Sequence, residues 1–159
     1  MSISPARILS FIVLLTASLG GASVLAGGQS LISTNSDHVA IQGYDPVAYF
    51  TDGKAMMGSA DHSYQFDGAT WHFASDVHRA LFIADPDRYM PQYGGFCANT
   101  MANNGGLTVA NPNAWVVVEG KLYMFAGAKF YGGWTPKDIS AADQNWQLRT
   151  AHNQSDAGN

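Results

Sequence analysis

A single cysteine, Cys97, occurs among the 159 residues, so no internal disulfide is open to the chain and its stability has to come from packing. Cations are also scarce, with eight Lys plus Arg against twelve Asp plus Glu and a formal net charge of −4. There is no basic stripe or lysine run, which excludes a nucleic-acid partner held through phosphate contacts. Long apolar runs are missing too. The longest, ILSFIVLLTASL, is short of the roughly 20 residues that a membrane-spanning helix needs. Catalytic signatures are equally sparse: the chain has no CxxC or HxxxH spacing, no nucleophile-elbow sequence and no glycine-rich nucleotide loop.

That short apolar run sits between Arg7 and the small residues of SVLA. A positive start, an apolar centre and a small-residue cleavage point are the parts of a secretory signal peptide, read here as residues 1–26. The mature chain is therefore expected to be periplasmic or secreted, without stable membrane insertion after cleavage. Residues 27–37, polar and glycine-rich, read as a flexible leader, residues 38–149 as one domain, and residues 150–159 as a disordered tail. Four Trp, seven Tyr and most of the eight Phe suffice to fill a single core.

Within the domain, HVAIQGYDPVAYF reads as two extended runs around a fixed Gly43-to-Pro46 turn. SYQFDGATWHFA is a β-hairpin signal, because Asp67-Gly68 accepts the positive φ angles of a tight turn between alternating strands. Trp71 and Phe73 then face the core, and His72 the opposite side. Ser75 is a helix cap before DVHRALFIAD, whose inward arc is bracketed by Val77, Leu81 and Phe82 and takes in His78. CANTMA supplies one or two helical turns that NNGG ends. AWVVV and KLYMFA form a second hairpin across Glu119-Gly120, and Thr135-Pro136 opens a last helix. The fold class is α+β: a small antiparallel sheet with two or three helices in one compact domain.

The ordered blocks GYDPVAYF, GATWHFAS, FIADPDRYMPQYGGFCA, VEGKLYMF and AADQNW resemble the YHS domain family in its stand-alone exported branch, over residues 38–148. Related modules, including those attached to heavy-metal pumps, resemble DPVC…FCSxxC and hold soft metals through those cysteines. Laid on this chain, the three cysteine positions fall on Ala48, Ala74 and His78. Two thiolates are absent, so that site does not carry over intact; His78 survives and Cys97 is added.

Three functions follow as expectations. The first is soft-metal binding, with copper as the cofactor. Thiolate, imidazole and thioether suit Cu(I), which makes Cys97, His78, Met101 and His72 the candidate ligands, Met101 lying one helical turn after Cys97. The second is a non-catalytic module for a small ligand or another protein, with Tyr44, Tyr49, Tyr93, Phe96 and Trp115 as aromatic walls. The third is a cysteine-dependent enzyme in which Cys97 attacks, His78 or His72 is the base, and Asp76 or Asp85 orients it. Against the first and third stands burial of Cys97 as a small apolar residue, and against the second, use of the same rings simply as core.

Overall fold

The computed structural model describes residues 31–127, 129 and 133–156. The expected signal peptide, leader residues 27–30 and tail residues 157–159 lie outside these. Two antiparallel hairpins carry the strands among the described residues: β1 (Ser59–Phe66) with β2 (Ala69–Phe73), and β3 (Asn111–Val118) with β4 (Lys121–Phe125). Each turn holds two residues at positive φ, Asp67 at 52° with Gly68 at 76°, and Glu119 at 51° with Gly120 at 74°. This backbone twist matches that of the flanking strands, which is why Asp-Gly and Glu-Gly reverse the chain there.

Five α-helices among the described residues complete the α+β architecture: α1 (Ala48–Thr51), α2 (Asp76–Ala84), α3 (Pro86–Tyr89), α4 (Ala98–Asn104) and α5 (Pro136–Asp156). Their starts follow side-chain chemistry. The Ser75 hydroxyl accepts from the His78 N–H at the head of α2, and the Asp85 carboxylate from the Arg88 N–H at the head of α3. At α5, Asp138 accepts from the Thr135 N–H at 2.9 Å and donates its own N–H back to the Thr135 hydroxyl at 3.4 Å. This is a reciprocal capping box. The Thr135 bonds also hold the exposed Asp138 carboxyl below its ordinary pKa.

Four local expectations change. VAYF is not extended but enters α1, because the Asp45 carboxylate accepts from the Val47 and Ala48 N–H groups and starts a helical turn. In α2, Phe82 is the buried residue, whereas Val77 is 68% exposed and Leu81 37%. The nine-residue helix is rotated so that Phe82 seats between Trp71 and Phe73, at ring separations of 5.1 and 5.2 Å. Leader residues 31–37 are not loose: Ser33 is buried and its N–H donates to the Gly94 carbonyl at 2.8 Å. Finally, residues 150–156 continue α5 instead of fraying, with the Thr150 hydroxyl donating back to the Trp146 carbonyl at 3.0 Å.

β4 organises the interior. Its period of two sends Leu122 and Met124 into one core with Tyr49, Trp71, Phe73 and Phe82, and Tyr123 and Phe125 into another with Tyr93, Cys97, Met101 and Ala142. All four of these strand residues are 2% exposed or less, so both faces of the strand are covered. The segment leading to α4 runs alongside, bridging Pro91 to Leu122 and Cys97 to Met124 in parallel.

Two predictions follow. Gly94 has φ +62° and a Cβ there would lie 1.8 Å from the Leu31 carbonyl oxygen, whereas Gly53 has φ +64° with nothing within 4 Å. Gly53→Ala should cost about 1–2 kcal/mol from the left-handed backbone alone. Gly94→Ala should cost more in urea unfolding, above about 3 kcal/mol, since backbone itself must move. Burial, then the Asp143 carboxylate that its hydroxyl meets at 2.9 Å, push the Tyr93 phenol above its ordinary value of 10.0. The folded state keeps a proton that the unfolded state releases above that value, so stability is full below pH 10 and falls as pH rises past it. Urea unfolding across that range should show the decline, less steeply in Tyr93→Phe.

Candidate functional site

Asp45 is a carboxylate with no exposed surface, and a buried charge is tolerated only when fully hydrogen-bonded. Four donors surround it. Oδ1 accepts from Val47 N–H at 2.8 Å and Ala48 N–H at 3.4 Å, and Oδ2 accepts from Ala74 N–H at 2.7 Å and His78 Nδ1 at 2.6 Å. Each donor has a structural reason to be there. The Ile41–Gly43 3-10 turn and the bond from Asp45 N–H to the Met56 carbonyl at 2.8 Å fix the start of the loop, and Pro46 sets the entry to α1. β2 ends at Phe73, which brings the Ala74 amide to the carboxylate, and the Ser75 cap orients the first turn of α2 so that its third residue, His78, reaches inward.

In the neutral ring, donation of Nδ1–H to Asp45 leaves the lone pair on Nε2. The His78 side chain is 15% exposed, and its Nε2 lies 3.4 Å from the Thr51 hydroxyl and 3.5 Å from Asp52 Oδ2. Both separations sit at the outer limit of hydrogen bonding. The Thr51 hydroxyl has closer acceptors, Asp52 Oδ2 at 2.7 Å and the Val47 carbonyl at 3.1 Å. Nε2 therefore faces a small polar rim made by the end of α1, with its lone pair weakly engaged.

The four residues expected to bind copper are not gathered. Cys97 and Met101 do meet, but inside the second core at 1% and 0% exposure, where the Cys97 sulfur accepts from the Ala126 N–H at 3.3 Å. His78 is held by Asp45, and His72 stands across from Ser63 on the first hairpin. Among the described residues, no three His, Cys, Asp or Glu side chains are grouped to hold an ion. The three positions where the YHS resemblance puts cysteines nevertheless converge: Ala48, Ala74 and His78 all donate to the one Asp45 carboxylate. Two of them carry only methyl groups here, so a thiolate set for a soft metal does not fit.

The other expected residues fall elsewhere. Asp76 pairs with His62 at 3.0 Å and Arg79 at 2.9 Å, and Asp85 caps α3, so neither orients His78. Tyr49 and Tyr93 are core residues, the Tyr49 hydroxyl donating to the Pro112 carbonyl at 2.9 Å; Tyr44, Phe96 and Trp115 are half-buried. Asp45, Thr51 and Asp52 were missing from the expected site. The available signal was Asp-Pro at the head of a short run, which reads equally well as a turn. Comparison of the chain with protein-family models, curated proteins and solved structures finds no match.

Asp45→Ala removes the acceptor shared by three amides and an imidazole, and should cost about 3–5 kcal/mol in urea unfolding. Asp52→Ala, at a 35% exposed carboxylate 3.5 Å from Nε2, should cost less than about 1 kcal/mol. Equal losses would show that Asp45 is not the carboxylate that holds the fold together.

Proposed function

We propose that this protein is an exported, YHS-like domain that binds one divalent metal ion through His78 Nε2, Asp52 Oδ2 and the Thr51 hydroxyl. The observation that carries the reading is the Asp45–His78 bond of 2.6 Å. A carboxylate on one ring nitrogen, which fixes the tautomer and presents the other, is the usual outer shell of a metal-binding histidine. Separations of 3.4 and 3.5 Å from Nε2 to the two oxygens are those of neighbouring ligands around one ion with bonds of about 2.0–2.2 Å. Imidazole with oxygen donors suits Cu(II) or Zn(II) better than Cu(I), which moves the copper expectation from the sulfur ligands to this rim. Water completes a coordination sphere in which the protein supplies three groups. Export is supported by the apolar N-terminal run between Arg7 and the small residues of SVLA.

Thr51, His78 and Asp45 also follow the hydroxyl–imidazole–carboxylate order of a nucleophilic triad. The Thr51 hydroxyl is closer to two other acceptors than to Nε2, so its proton is directed away from the base. Binding is the better supported use.

Titration of the purified protein with Zn(II), and separately with Cu(II), followed by calorimetry and by the His78 ring resonances, tests the proposal. One saturable site is expected, lost in His78→Ala and unchanged in Cys97→Ser. Asp45→Asn, in folded protein, should weaken it by about 10–100-fold, because Nδ1–H loses its charged acceptor and the ring is held less firmly. No saturable binding, binding that survives His78→Ala, or binding that needs Cys97 would each sink it.

A further inference from the structure

Asn145, Leu148, Arg149 and His152 recur along α5 at intervals of three and four, which puts them on one face of the helix. That face borders the C-terminal end of α4, and a cleft of about 380 Å3 lies there, with Leu31 and Gly105 also in its wall. Its volume is within the range of about 300–1,000 Å3 typical of small-ligand pockets. The wall has no carboxylate, in a chain whose net charge is −4. Arg149 is the group that stands out. Its Nε donates to the Gly105 carbonyl at 2.7 Å, which anchors the side chain, and its guanidinium makes no ion pair among the described residues. Capping the last turn of α4 uses Nε alone and leaves the Nη groups able to donate as a pair. Asn104, also in the wall, has its Oδ1 committed to the Gly106 N–H at 2.9 Å, so its NH2 is the end still able to donate. Leu31 and the 71% exposed Leu148 supply apolar wall.

We infer that this cleft binds a small organic carboxylate with a short apolar chain, the carboxylate on the Arg149 Nη pair beside His152 and the chain against Leu148 and Leu31. A planar guanidinium with both Nη groups available matches a carboxylate in a two-bond fork. The apolar side chains give the rest of the molecule a surface to leave water for. The site is separate from the His78 rim and does not depend on a metal.

Three probes with the same chain and different heads test it: hexanoate, hexanol and hexylamine, each titrated into the purified protein while the Gly105, Leu148 and His152 backbone resonances are followed. Saturable shifts are expected with hexanoate, binding at least about tenfold weaker with hexanol, and none with hexylamine. Arg149→Gln should abolish the preference for hexanoate over hexanol. Because that change can also loosen the end of α4, Leu148→Ala is the second variant, with acetate as a fourth, chainless probe: the substitution should weaken hexanoate and leave the weaker shifts expected from acetate unchanged. His78→Ala should change none of these. Hexanol binding as well as hexanoate, no saturable shift with hexanoate, or a preference that persists in Arg149→Gln would overturn the inference.

Discussion

A buried carboxylate governs the geometry of this molecule. Asp45 has no exposed surface and takes four hydrogen bonds from three stretches of chain: the start of α1, the residue after β2 and the first turn of α2. Such a group is costly in the interior unless every lone pair is engaged, and losing one donor leaves a charge without compensation. The three stretches are therefore held to one arrangement, which a purely apolar contact at the same place would define less sharply. Phe82, one turn after His78 on α2, adds the apolar half of the attachment by seating among Phe66, Trp71 and Phe73. The helix is fixed by a polar anchor near its start and an aromatic one near its end.

β4 imposes the second constraint. Alternate residues feed two different cores, and so the strand keeps apart what the sequence suggested as one ligand set: Cys97 and Met101 belong to the core that receives Tyr123 and Phe125, while the Asp45–His78 pair adjoins the core that receives Leu122 and Met124. No local pattern foretells that division. Sulfur and imidazole looked compatible as ligands because their chemistry matches. Whether they meet depends on which face of β4 each packs against.

Much of the secondary structure was legible for reasons that operate over a few residues. Asp67-Gly68 and Glu119-Gly120 tolerate positive φ, alternation placed Trp71 and Phe73 inward, Ser75 capped α2, and Thr135 opened α5. VAYF was misread because Val, Tyr and Phe favour strands, while the decisive interaction was a carboxylate two residues upstream accepting the Val47 amide. The candidate site was half legible. His78 was identified on its helix and its inward tilt expected, but Asp45 is 33 residues away in the chain, and an Asp before Pro is commonplace in turns. Thr51 and Asp52 come close to His78 only because VAYF is helical, so the misread run also concealed the rim.

The fate of Cys97 follows from the same partition. In an oxidising compartment a lone accessible thiol invites intermolecular disulfides and oxidation, since reactivity follows exposure and thiolate character. Here the sulfur is 1% exposed, surrounded by the second core, and accepts from the Ala126 N–H. A thiol in that setting acts as a small apolar group with one weak polar contact. A cysteine that fills a core and a histidine that faces a rim are therefore complementary solutions. The group most prone to unwanted chemistry is kept inside, and the imidazole, with one nitrogen fixed by Asp45, is left to meet whatever the solvent brings.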